Sequence, residues 1–165
     1  MDHAKEKDAR ARLSDGLSGN GAHLSLEDAV ADFPESLMNS RPPHVPYSFW
    51  HQLEHIRIAQ QDLLLYAASP GHRSPVWPDG YWPETTHQAD PAEWNATIAS
   101  IQRDRGRFVD LVNDPQCDIF APQPHMDGRS VFRAAMLAID HTAYHLGEFV
   151  MGRQILGSWK SELDR

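Results

Sequence analysis

Apolar residues recur at intervals of three and four along four long stretches of this chain, and no stretch alternates strictly between apolar and polar. At roughly 100° per residue that period places the apolar positions on one side of a helix. Residues 3–17 carry Leu13 and Leu17 four apart and predict a first helix, ended by the turn Ser18–Gly19–Asn20–Gly21. Ser25, with Asp28 three positions on, opens a short helical segment that runs to Phe33 and stops at Pro34. Pro34, Pro42, Pro43 and Pro46 mark residues 34–46 as an irregular connection.

A second long helix is predicted from Pro46 or Tyr47 to Ala68, with Phe49, Leu53, Ile56, Leu63 and Leu64 on its buried face. Residues 70–91 form a long loop carrying Trp77, Tyr81 and Trp82 among five prolines. A loop of that length is more often functional or docked than idle. Its aromatics are expected to pack on the bundle, with a substrate wall as the weaker alternative. Asp90 as N-cap, Pro91 at the first helical position and Glu93 in the first turn begin a third helix that ends at Asn113. Its stripe is Trp94, Ile98, Ile101, Phe108, Leu111 and Val112. A further loop over 114–128 leads to a last helix from about 129 to 156, closed by Gly157. Its expected seam is Phe132, Met136, Ile139, Ala143, Leu146 and Val150. The predicted fold is therefore all-α: one domain over residues 1–165, a four-helix bundle with long connecting loops.

The last helix also carries His141 and His145. Four residues apart, they lie one turn apart on one face, so both rings can reach a single ion. They share a strip with Ala134, Ala138 and Gly152, small residues that let another helix come close enough to supply a third ligand. The second helix offers His55, on a strip with Ser48, Ala59, Asp62 and Tyr66; His51, one turn earlier, competes with it. Three imidazoles suit zinc, nickel, copper or iron. Three protein ligands leave a position open, as in catalytic sites. Asp62 and Glu148 read as orienting groups or bases, and equally as surface charges. His55 reads equally as a core histidine satisfied by a neighbour, and Tyr144 as an interface residue.

Composition narrows the function further. With 165 residues and 41% apolar content the chain can build a proper core. A net charge of -8 argues against nucleic acid and against anionic membrane as partners. No apolar run approaches the ~20 residues of a membrane span. The N-terminal stretch is charged and does not resemble a secretory signal. With Cys117 alone, no intramolecular disulfide can form. A soluble cytoplasmic protein is expected. Cys117 beside Asp118 is a poor nucleophile. The sequence holds no G-x-S-x-G elbow, P-loop, paired C-x-x-C or glycine-rich dinucleotide fingerprint, which leaves the histidines as the visible chemistry.

The stretch WHQLEHIRIAQQDLL, the WPDGYWP loop and DGRSVFRAAMLAIDHTAYHLGEFVMGRQILG together resemble the DinB-like superfamily over residues 46–157. The resemblance implies an up-down-down-up four-helix bundle, a homodimer and a divalent metal on three histidines. Matched residue by residue, those histidines are His55, His141 and His145. Some members of that superfamily are S-transferases or isomerases using low-molecular-weight thiols. The chain departs from the pattern at Glu148, where many relatives carry glutamine, and at His51, where an apolar residue is usual. The expectation is a metal-dependent enzyme acting on a small-molecule substrate, with zinc, nickel or a similar ion activating a thiol or water. A non-catalytic, dimeric, stress-related metal- or ligand-binding protein is the alternative.

Overall fold

A computed structural model describes residues 3–159. Among them are five α-helices and no strand: α1 (His3–Leu17), α2 (Leu26–Val30), α3 (Phe49–Ala68), α4 (Pro91–Asn113) and α5 (Val131–Ile155). Short 3-10 turns at Glu35–Leu37, Asp79–Tyr81 and Pro124–Met126 punctuate the connections. α3 packs against both α4 and α5, α1 against the same two helices, and α2 against α5. No helix among the described residues is long and apolar enough to cross a membrane.

The capping signals act as their chemistry requires. Ser25, Ser48 and Asp90 each accept a hydrogen bond from the backbone N–H three residues on, and the side chain there reaches back to complete a capping box. At α3 the returning side chain is His51. Its Nδ1 faces the Ser48 hydroxyl, and its Nε2 meets the Glu84 carbonyl at 3.0 Å. The helix therefore begins at Phe49, two or three residues later than the sequence suggested, because Ser48 is the better cap. Gly157 has φ +66°, the left-handed geometry of a residue just past a helix C-terminus.

α3 is buried on more than one face, since α4 and α5 flank it: Phe49, Leu53, Ile56 and Leu64 are joined inside by Gln52, His55, Gln60 and Asp62. On α4 the expected stripe is found at Trp94, Ile101, Phe108 and Val112, with Ile98 and Leu111 half-buried.

The seam of α5 lies one residue away from the expected one. Val131, Ala135, Ala138, His145, Phe149 and Gly152 face inward, while Met136 is 46% exposed. Of the expected seam only Leu146 is fully buried. Ala134, Ala135, Ala138 and Gly152 share the inward face with Val131, Leu146 and Phe149. At Gly152 a Cβ would lie 3.0 Å from Phe49 Cε1 and 3.1 Å from Pro42 Cγ, so these two side chains pack against the bare α5 backbone where a side chain would displace them. Arg153, also buried, extends from α5 to donate to the Ala29 and Ala31 carbonyls at 2.7 and 2.9 Å, fixing α2 and its C-terminal turn against the bundle.

Candidate metal centre

Each of the three histidines is set on a rigid helix: His55 in the middle of α3, His141 and His145 one turn apart on α5. Because α3 and α5 pack side by side, the three rings converge. One nitrogen from each lies within 4.8 Å of the others. His55 Nε2 is 3.1 Å from His145 Nε2 and 3.1 Å from His141 Nε2. Nitrogens bound tetrahedrally at about 2.1 Å from one ion are themselves about 3.4 Å apart, so the spacing suits a shared cation.

The protons on these rings are placed by their other nitrogens. His55 Nδ1 lies 2.7 Å from the Tyr81 carbonyl oxygen, which only accepts, so Nδ1 carries the hydrogen and Nε2 is a bare lone pair. His145 Nδ1 faces the Glu148 carboxylate at 2.8 Å and is assigned its proton by the same logic. Two bare Nε2 atoms then face one another at 3.1 Å with no hydrogen between them. Neutral imidazoles in that pose repel; a cation between them removes the conflict. Orientation of a ligating histidine by a carbonyl or carboxylate on its far nitrogen is the usual arrangement around bound metals.

For His141 and His55, electrostatics favour the neutral, ligating form. Burial pushes His141 down to about 4, with His145 and His55 adding to the effect. Burial also lowers His55, against the pull of the Tyr81 carbonyl. Burial works against ionisation of Glu148, yet the hydrogen bonds from His145, Tyr144 and Tyr47 outweigh it and hold the carboxyl below its usual range.

The loop between α3 and α4 supplies more than packing. Trp82 lies flat on His55, with ring centroids 3.9 Å apart and planes within 4°. Tyr81 is held at both ends, its carbonyl by His55 and its hydroxyl by Asp62 at 2.6 Å. Asp62 also meets His72 Nε2 at 2.7 Å and is 7% exposed, which corrects its reading as a surface charge. Trp77 differs from the half-buried Tyr81 and Trp82 in being 68% exposed. His51 does not join the cluster, because both its ring nitrogens are engaged by Ser48 and Glu84. Cys117 is raised, chiefly by burial and then by Asp114 and Asp118 against Arg10, in keeping with a poor nucleophile.

Gln52 escaped the sequence reading. Its amide donates to the His145 carbonyl at 3.1 Å and to Glu148 at 3.0 Å, tying α3 to α5 beside the histidines. Its place three residues before His55, on the same face, was the available signal. Only the aromatic density of the loop and its place in the WPDGYWP stretch pointed to Trp82.

The family model of the DinB superfamily matches residues 23–149. The chain belongs to the DinB superfamily, as the sequence resemblance implied. Searches of curated proteins and of solved structures return no significant match. An all-α fold and a three-histidine group able to hold a metal ion agree with that membership.

Proposed function

We propose that this protein is a metal-dependent enzyme, with a divalent transition ion such as zinc or nickel held by His55, His141 and His145. The observation that carries the reading is the convergence of one nitrogen from each of three imidazoles within 4.8 Å, with His55 and His145 each oriented by a partner on the far side of its ring. A bound ion supplies Lewis acidity, lowering the pKa of a coordinated water or thiol or polarising a carbonyl. The chain's own residues do the rest. Tyr81 and Glu148 keep two imidazoles in the ligating tautomer. Trp82 covers one face of His55 and keeps water from it. Three protein ligands leave a position for a reactant.

The chemistry proposed is S-transfer or hydrolysis on a small molecule, with a low-molecular-weight thiol as co-substrate in the first case. The proposal includes the up-down-down-up order of the long helices, a homodimeric assembly and a cytoplasmic setting. The rival reading, a non-catalytic metal- or ligand-binding protein, shares the histidines. What favours catalysis is a cavity of about 180 Å³ lined by His55 and His141, which a closed binding shell does not need.

Elemental analysis of the protein purified without a histidine tag tests the centre. About one metal per chain in the wild type and none in His55→Ala is expected. No metal in either, and none taken up from added zinc or nickel, would overturn the proposal.

A further inference from the structure

Two cavities adjoin the histidine cluster, and only one of them reaches it. The first, about 170 Å³, is bordered by Pro42, Tyr47, Gln52, Glu148, Met151 and Ile155, and none of the three histidines lines it. The second, about 180 Å³, is walled by His55 and His141 themselves, with Ala59, Leu63, Trp77 and Leu137 around them. A molecule in the second cavity meets two of the three converging rings directly. A molecule in the first meets Gln52 and Glu148 instead.

The wall chemistry limits what can enter. Asp62 is the one carboxylate on it, and both its oxygens already hold partners, Tyr81 at 2.6 Å and His72 at 2.7 Å. An incoming molecule therefore meets no uncommitted charge. The remaining surface is aliphatic or aromatic. An apolar cavity of about 150 Å³ accommodates a benzene ring, so this one suits a body of about that size. Trp77 and Leu137, 68% and 40% exposed, stand where the cavity meets solvent and can close over a bound ring.

The geometry points to this cavity as the substrate site, taking an uncharged molecule about one six-membered ring in size that carries a single metal-binding head such as a thiol. The inference rests on the metal-centre reading above. It fixes the side from which the substrate arrives: between α3, α5 and the Trp77 loop, and not through the crevice beside Glu148.

Cobalt(II)-loaded protein titrated with benzyl mercaptan tests it. Thiol coordination is read from the cobalt absorption spectrum, with cobalt content measured for every variant. Benzyl mercaptan is expected to alter the wild-type spectrum. Leu137→Trp, which fills the cavity from an exposed position, should weaken binding by about tenfold or more. Trp77→Ala should weaken it several-fold, and Ile155→Trp, which fills the other crevice, should leave it unchanged. An effect of Ile155→Trp without an effect of the other two overturns the inference. So does a wild-type spectrum that the thiol leaves unchanged, or equal binding by all three variants. Failure of the wild type to take up cobalt at all refutes the metal centre itself, which is a separate result.

Discussion

Glu148 shows what one side chain contributes beyond its charge. Its Oε2 accepts from His145 Nδ1 at 2.8 Å, from Gln52 at 3.0 Å and from the Tyr47 hydroxyl at 3.2 Å. The bond that matters for a metal is the first, because it leaves the lone pair of His145 on Nε2. A glutamine here retains a carbonyl oxygen that can accept the same N–H. Glu148→Gln should therefore hold zinc within a few-fold of the wild type. Glu148→Ala removes the acceptor and frees the ring, and should weaken zinc binding by about 10- to 100-fold. Competition against a chromophoric chelator measures both. Equal losses in the two variants would show that charge, and not the hydrogen bond, is what His145 needs.

At the scale of the elements, α5 teaches most. The sequence placed its seam on the large apolar residues, and Met136 from that row faces solvent. The buried face combines Ala134, Ala135, Ala138 and Gly152 with Val131, Leu146 and Phe149, and α3 packs against it so that two helices share one set of imidazoles. Hydropathy weights side-chain size and underrates such a face. The spacing of His141 and His145 beside small residues carried the better signal, the strip of the second helix offered His55 or His51, and the resemblance chose His55. The cap residues were legible because capping is local chemistry: Ser25 and Asp90 sit where expected. Trp82 and Tyr81 were read first as packing residues and only secondarily as a substrate wall, since a loop's path depends on contacts distant in sequence. Two glycines test the packing argument. Gly152→Ala should cost about 1–3 kcal/mol, since its Cβ would press on Phe49 and Pro42. Gly106→Ala, on an exposed turn of α4 with nothing within 4 Å of the added carbon, should stabilise by about 0.5–1 kcal/mol. Chemical denaturation reads both, and a neutral Gly152→Ala would show that Phe49 and Pro42 pack on α5 more loosely than described.

For the whole molecule the histidine cluster sets a cost in acid. In the unfolded chain His141 titrates near its ordinary 6.5, whereas in the fold burial and its two neighbours hold it at about 4, and His55 is also lowered. Between those values the unfolded state binds protons that the folded state refuses, so acidification favours unfolding. The metal-free protein should keep its full stability above pH 6.5 and lose it progressively as the pH falls toward about 4. Glu27, held to about 2 by Arg105 against its burial, adds a further loss below its ordinary 4.5, so the two windows overlap only near pH 4 to 4.5. Thermal melts of the metal-free protein across this range measure the slope. His141→Gln removes one of the titrating rings and relieves the others of its charge, and should flatten the upper window while leaving the lower one in place. Saturating zinc binds only the neutral rings and only the fold, at 100 times its Kd adding about 2.7 kcal/mol. It should therefore raise the melting temperature at neutral pH and move the acid loss downward. Because apolar packing and not the ion holds the helices, His145→Ala should keep its helical circular dichroism while losing the zinc-dependent shift. Unfolding of that variant would mean that the centre is part of the core that makes the fold.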